Sequence, residues 1–209
     1  MERGRDVRNE TAGRSAARIA IATALVGLLA GCASAPALVT YGLAAPVDRV
    51  SAPMRLPGLV LVVEPSAIEL YASERVVVRE PGGALSYLPG VRYADQLPAL
   101  VQTRLVETFE NASRIGGVAR PGDRVTPNYQ LNSTIRTFWV DAQTNLAVVE
   151  VAVRAVDERN GSVAAAEVFS ASAPVAAIEG RAAMLGLEAA LGEVMLDIVR
   201  WAGTGRAGA

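Results

Sequence analysis

The sequence of 209 residues contains no histidine and no lysine, and its only cysteine is Cys32. All 20 of its basic residues are arginines. A chain without imidazole, amine or a second thiol cannot assemble a Ser-His-Asp triad, a Cys-His pair, a Ser-Lys pair or a Schiff base. It also cannot form a zinc site from histidine and cysteine ligands. These absences exclude most hydrolase mechanisms.

A pair of carboxylates could still perform glycoside hydrolysis in such a chain. The acidic residues, however, mostly occupy positions typical of a solvated surface, so we predict that the protein is not an enzyme and needs no cofactor. No basic cluster is interleaved with aromatic residues, which argues against a nucleic-acid partner. The surface-type acidic residues are Asp123, Asp157 and Glu158 in turns and Glu107 and Glu110 on a helix.

The N-terminus has the pattern of an export signal. Residues 1–18 carry five arginines against three acidic residues, and residues 19–30 are apolar and uncharged. About 12 apolar residues are too few to cross a bilayer, which takes roughly 20, but they suit a signal peptide. The run ends in Leu29-Ala30-Gly31-Cys32, which resembles the lipobox of bacterial lipoproteins, whose cysteine sulfur accepts diacylglycerol.

Cys32 is therefore predicted to become the lipid-bearing N-terminus once residues 1–31 are removed. The alternative is an ordinary small buried cysteine, but its position directly after a complete signal favours lipidation. Acyl chains contribute about 0.8 kcal/mol per buried CH₂, so two or three of them hold a protein firmly on a membrane. Position 33 is Ala, not the Asp that favours inner-membrane retention in enterobacterial lipoproteins. By this resemblance, the protein is expected on the periplasmic face of the outer membrane.

The remaining 178 residues have the length of one domain, carrying 15 arginines against 18 acidic residues. Residues 32–57 are rich in Ala and Pro and predict an extended tether. In this interpretation, Tyr41-Gly42-Leu43 is a chance aromatic segment within a linker. Residues 58–203 form the predicted folded body, and residues 204–209 a flexible tail.

Strand patterns begin at residues 58–65, an apolar run that predicts a strand buried on both faces. Residues 75–79 and 84–88 flank Glu80-Pro81-Gly82-Gly83, which predicts a hairpin. Residues 129–140 and 146–156 alternate between apolar and polar side chains, and Asn160-Gly161 predicts a hairpin leading into residues 163–172. In that last strand either Phe169 or Val168 could point inward, and a bulge would resolve the conflict.

Two helices are predicted. The first begins with Asp95 as N-cap, ends near residues 114–117 and buries a stripe of Leu97, Val101, Leu105, Phe109 and Ala112. The second covers residues 178–201, with Met184, Leu187, Leu191, Val194, Ile198 and Trp201 facing the sheet.

Leu185 and Leu196 lie well away from that second stripe, so the last helix is apolar on more than one side. Either it is clamped between the sheet and the first helix, or its second side contacts another protomer or a partner. Helices that follow runs of strands predict an α+β fold: a single domain with a largely antiparallel sheet and two main helices packed on it.

Several short segments occur in an order similar to that of the ABC-type transport auxiliary lipoproteins. They cover almost the whole mature chain: Tyr41-Gly42-Leu43, residues 60–65, residues 70–79, Leu85-Ser86-Tyr87, Arg92-Tyr93-Ala94-Asp95, Phe138, Phe169 and Val199-Arg200-Trp201. The resemblance implies a lipoprotein on the inner leaflet of the outer membrane. Such a protein works with an MCE-domain protein, a permease and an ATPase to move phospholipids or other hydrophobic molecules across the periplasm. It also implies a possible homo-oligomeric ring.

The ATPase must be another chain, because this sequence has no phosphate-binding G-x-x-x-x-G-K-[ST] loop. Tyr71 and Tyr93 lie beside predicted loops, where they either contact a partner or cap the core. A competing function is a structural or regulatory lipoprotein that docks a cell-envelope enzyme or an assembly machine. Neighbouring genes for an MCE protein, a permease and an ATPase would favour transport over this alternative.

Overall fold

The computed structural model describes residues 38–47, 58–112 and 117–203. The predicted signal peptide, Cys32 and the predicted tail at residues 204–209 lie outside the described residues. Nine strands and two helices follow one another along the described chain. They are β1 (Val39–Tyr41), β2 (Val60–Val62), β3 (Ser66–Ala67), β4 (Arg75–Arg79), β5 (Leu85–Tyr93), α1 (Leu97–Asn111), β6 (Val118–Ala119), β7 (Tyr129–Asp141), β8 (Leu146–Asp157), β9 (Ser162–Pro174) and α2 (Gly180–Gly203).

All nine strands belong to one sheet built around β7. One edge of β7 pairs antiparallel with β8, which pairs antiparallel with β9. The other edge pairs in parallel with β2, β3 and β4 in succession, and β4 continues through its hairpin partner β5 to β1. The longest ladders are antiparallel, so the predicted α+β fold with a largely antiparallel sheet is confirmed.

Both helices pack on one face of this sheet and share its core. The predicted stripe of α1 is buried from Leu97 to Ala112, as is the predicted stripe of α2 from Met184 to Ile198. The helices also touch each other, because the Thr108 hydroxyl on α1 lies 3.6 Å from the sulfur of Met195 on α2. We call the sheet face under the helices the inner face and the opposite one the outer face.

The first helix starts one residue later than predicted. Its N-cap is Gln96, not Asp95, and no side chain caps it. Asp95 instead accepts a hydrogen bond from the backbone N–H of Gln96, at 2.7 Å. Pro98 lies in the first turn, where its missing N–H removes no helical hydrogen bond. The helix ends at Asn111, before the predicted end at residues 114–117.

A register shift between Ile135 and Thr137 interrupts the predicted alternation of β7. Before it, Leu131 and Ile135 lie on the buried inner face; after it, Phe138 and Val140 do. The extra residue reverses which side chains face the helices. An unbroken alternation along residues 129–140 predicts that Trp139 shares a face with Leu131 and Ile135, but Trp139 lies on the outer face, beside Val77.

The register of β9, which the sequence left open, places Phe169 inward. Phe169 is 8% exposed, whereas Val168 is 45% exposed. A bulge is present, but it lies where β8 pairs Ala155 with Ala165 and Val156 with Val163. It therefore does not separate Glu167 from Phe169, and Glu167 stays on the inner face at an exposed position.

The folded body begins earlier than the predicted boundary at residue 58. Residues 39–41 pair in parallel with residues 91–93 of β5, and Leu43 is only 2% exposed in the core. The prediction that residues 32–57 form a tether is therefore wrong for this part. The sequence did not reveal this strand for two reasons. The surrounding residues are rich in alanine and proline, and three residues are too few to show periodicity.

Aspartates close both long hairpins. Asp141 accepts hydrogen bonds from the backbone N–H groups of Gln143 and Thr144, and Asp157 accepts one from the backbone N–H of Arg159. The Arg159 guanidinium also bonds the Asp157 carboxylate. This side-chain bond, with the backbone bond, lowers the pKa of Asp157 from 3.8 to about 2.

Replacing Asp157 by asparagine is expected to lower the melting temperature at pH 7, because the charged acceptor is lost. The native pKa lies below the unfolded value, so this stabilisation is present above pH 3.8 and disappears as the pH falls through about 2. The difference in melting temperature between wild type and Asp157→Asn should therefore disappear when melting is followed by circular dichroism down to pH 2. The control Asp197→Asn, in an exposed pair with Arg200, should change little at either pH. A gap that is constant with pH would contradict this role of Asp157.

Candidate docking groove on the last helix

Helix α2 presents two apolar faces. One is buried on the sheet, while Leu185, Ala189, Gly192 and Leu196 follow one another at spacings of four, three and four on another side. Residues at these spacings line one side of a helix. Leu185 is 56% exposed, and no part of the described chain covers it.

This second face forms one wall of a groove, and residues 44–46 form the other. The groove has a volume of about 410 Å³. Its lining is apolar except for the carboxylates of Glu188 and Glu193. We call this feature the α2 groove.

Three contacts hold the opposite wall in place. Leu43 anchors it in the core. The backbone N–H of Ala44 donates to the Glu188 carboxylate at 3.0 Å. The Asn111 amide at the end of α1 donates to the Pro46 carbonyl at 3.3 Å. The wall is thus fixed to both helices.

The structure brings Leu185 and Leu196 together, since both line the α2 groove. Leu196 is 8% exposed and forms the floor, whereas Leu185 stands at the surface. The clamped interpretation therefore holds for one side of the helix, which lies between the sheet and α1. For the open side, contact with another protomer or a partner stays a prediction.

Tyr71 and Tyr93 are not brought to the surface. They are 2% and 1% exposed, which favours their core-capping interpretation. The ring of Tyr93 packs edge to face on Phe138, with centroids 6.1 Å apart. Burial raises the pKa of both phenols, and the Tyr93 hydroxyl has no hydrogen-bond partner among the described residues.

No group of three or more acidic or cysteine side chains that could hold a metal ion occurs in the described ranges. None of the described helices is long and apolar enough to cross a membrane. At the α2 groove, Glu188 has a structural role, because its carboxylate accepts the hydrogen bond from the backbone N–H of Ala44. Sequence reasoning missed both Glu188 and residues 44–46. The only signal for the latter was the motif Tyr41-Gly42-Leu43, which directly precedes them.

Comparison with known proteins places this structure among relatives. The crystal structure of protein XCC0632 from Xanthomonas campestris, of the family DUF330, is 26% identical with a TM-score of 0.72, covering 79% of this chain and 95% of that one. A second, uncharacterised crystal structure is 14% identical with a TM-score of 0.62 over 79% of this chain and 98% of its own, a likeness of fold alone.

An uncharacterised protein of Bradyrhizobium diazoefficiens is 29% identical over 185 residues, which are 85% of this chain and 50% of that protein. The chain thus spans about half the length of this relative. The sequence profile of one family, described as the ABC-type transport auxiliary lipoprotein component, matches residues 41–199. This match includes every element from Tyr41 to Val199 and both walls of the α2 groove. The chain therefore belongs to the family of ABC-type transport auxiliary lipoprotein components.

Proposed function

We propose that the protein is an outer-membrane-anchored periplasmic lipoprotein that serves as the docking component of an MCE-type ABC transport system. This system moves phospholipids or other hydrophobic molecules between the inner and outer membranes. The observation that carries the proposal is the α2 groove, an open apolar surface on the last helix of a family member. An auxiliary component of a transport system acts through such a contact surface.

The anchor is Cys32, which becomes the N-terminus when residues 1–31 are removed, and Ala33 favours the outer membrane. Residues 33–37 then link the lipid to β1, and the body reaches from β1 to α2. The lipid chains hold the α2 groove at a membrane surface, where a periplasmic subunit of the transporter can reach it.

The chemistry of the groove restricts its occupant. Leu185, Ala189 and Leu196 favour apolar side chains, and Glu193 at the rim favours a neighbouring arginine or lysine. A groove of about 410 Å³ is large enough for a few anchoring side chains. We therefore assign the groove to an apolar segment with a basic flank on a transporter subunit.

Gly192→Leu is the variant that tests this assignment. A Cβ at Gly192 meets nothing within 4 Å and Gly192 lines the groove, so a leucine there extends into the groove without disturbing the core. We expect it to lower recovery of the MCE-domain protein, permease and ATPase from the native envelope by about tenfold or more. The matched control Ala166→Leu, on the exposed outer face of β9, should recover them as wild type does.

Undiminished recovery with Gly192→Leu would overturn the assignment of the groove. Recovery of an envelope enzyme or an assembly machine instead of transporter subunits would support the competing regulatory function. A ring of copies in contact through Leu185 and Leu196 would appear as a change of mass by light scattering between wild type and Gly192→Leu.

A further inference from the structure

The outer face of the sheet carries arginines stacked on aromatic rings. The Arg75 guanidinium carbon lies 3.5 Å from the ring centre of Tyr87, and that of Arg79 lies 5.7 Å from the ring centre of Trp139. Between them Val77 is only 1% exposed, although neither α1 nor α2 covers this face. The arginine and aromatic side chains thus form a covering layer on the outer face.

One corner of this face has a concave, positively charged surface. Arg75 and Arg92 are direct cross-strand neighbours on β4 and β5, and they line a depression of about 400 Å³ with Leu38, Glu74 and Tyr87. We call it the β1 corner.

Glu74 neutralises one of the two arginines. It pairs with Arg92 at 3.0 Å, and Arg92 also donates to the Thr40 hydroxyl. Arg75 forms no salt bridge within the part of the chain that the structure describes. The β1 corner therefore has a net charge of one positive unit, located on a guanidinium that stacks on Tyr87 and keeps its N–H groups available.

Chain length sets an upper limit on the distance between the proposed anchor and this corner. Cys32 precedes Leu38 by six residues, and six residues span at most about 20 Å in any conformation. Leu38 and Val39, at the start of β1, are 61% and 49% exposed. Val163 lies on β9 at the opposite edge of the sheet, five strand spacings from β1 through β5, β4, β7 and β8, roughly 24 Å across the strands.

We propose that the β1 corner docks on the phosphate groups of phospholipid headgroups in the membrane that holds the anchor. Arginine binds phosphate through its planar fork of N–H groups. Tyr87 and Leu38 have the amphipathic and apolar character of side chains that settle at the headgroup level. The inference rests on the proposed lipid anchor, and it fixes which side of the body faces the membrane.

The test uses the full lipidated protein in vesicles of phosphatidylcholine and phosphatidylglycerol. Once Cys32 carries lipid, an introduced cysteine is the only free thiol, so Val39→Cys and Val163→Cys can each carry one fluorophore. A spin-labelled lipid headgroup should quench the label at position 39 strongly and the label at position 163 weakly. Raising the salt concentration should reduce the quenching at position 39.

Charge variants distinguish binding of the headgroups from quenching that arises only because the short tether keeps position 39 near the membrane. Arg75→Gln should shift the docking equilibrium about fivefold towards the undocked state, whereas Glu74→Gln should shift it the other way by freeing Arg92. Arg154→Gln, which removes an exposed arginine of β8 outside the corner, should have no effect.

Equal quenching in wild type, Arg75→Gln and Glu74→Gln would overturn the proposal. Flotation of the vesicles reports the anchor separately, since Cys32→Ser should not float while all charge variants should. Failure of the wild type to float would refute the anchor itself.

Discussion

Replacing Gly186 by leucine is expected to lower the free energy of unfolding by about 3 kcal/mol. A Cβ at Gly186 would lie 2.5 Å from a methyl group of Val175 and 3.2 Å from the Cβ of Ala147. Helix α2 approaches the sheet so closely here that only glycine fits. Leucine is a good helix former, so the loss cannot come from helix propensity.

Gly192 provides the matched control on the same helix. A Cβ there meets nothing within 4 Å, so Gly192→Leu should stabilise the protein by up to about 1 kcal/mol through helix propensity. Urea denaturation of the two variants and wild type measures both effects. Similar changes in the two variants would contradict the described seating of α2 on the end of β9.

Tyr93→Ala is expected to lower the free energy of unfolding by about 3–5 kcal/mol, because it empties a fully buried aromatic site. The substitution also removes the edge-to-face contact between the rings of Tyr93 and Phe138. Thermal and urea unfolding measure the loss.

Tyr93→Phe separates a core role from a partner contact. It removes a buried hydroxyl that has no partner among the described residues, so stability should be retained or rise by about 1 kcal/mol. Recovery of transporter subunits should be unchanged. Reduced recovery with full stability would instead show that the Tyr93 hydroxyl contacts a partner.

The long hairpins could be predicted from the sequence because their signals are local. Alternation through β8 and the dipeptide Asn160-Gly161 determine strand, turn and partner within a few residues. The register shift at residue 136 could not be predicted, since nothing in the local pattern of β7 marks the extra residue. The parallel pairing of β2, β3 and β4 with β7 was equally hidden, because it joins segments more than 60 residues apart.

The two walls of the candidate site also differ in whether local sequence signals predict them. Helical spacing alone separated Leu185 and Leu196 from the buried stripe, so one wall of the α2 groove was predictable. The other wall depends on Ala44 and Pro46, held by the distant Glu188 and Asn111. Tyr71 and Tyr93 could not be assigned from the sequence. Their positions beside loops are compatible with a partner contact and with the core, and only the fold shows that their rings turn inward.

The family to which the chain belongs consists of lipoproteins associated with ABC transport systems, which indicates a membrane-anchored location in the cell envelope. It is described by an auxiliary role and not by a reaction. The Gly186 variant tests the seating of one face of α2 on the sheet, and the second face of α2 lines the α2 groove. We propose above all that this face binds a transporter subunit.

Photo-crosslinking in the native envelope tests that claim most directly. A photoreactive residue in place of Leu185, which is 56% exposed at the groove, is compared with one in place of Val163, which is 57% exposed at the far end of the sheet. The crosslinked chains are then identified by mass spectrometry. We predict that position 185, and not position 163, captures an MCE-domain protein or permease of an ABC transport system. Capture at position 185 of an unrelated envelope enzyme, or of the same proteins at both positions, would contradict the account.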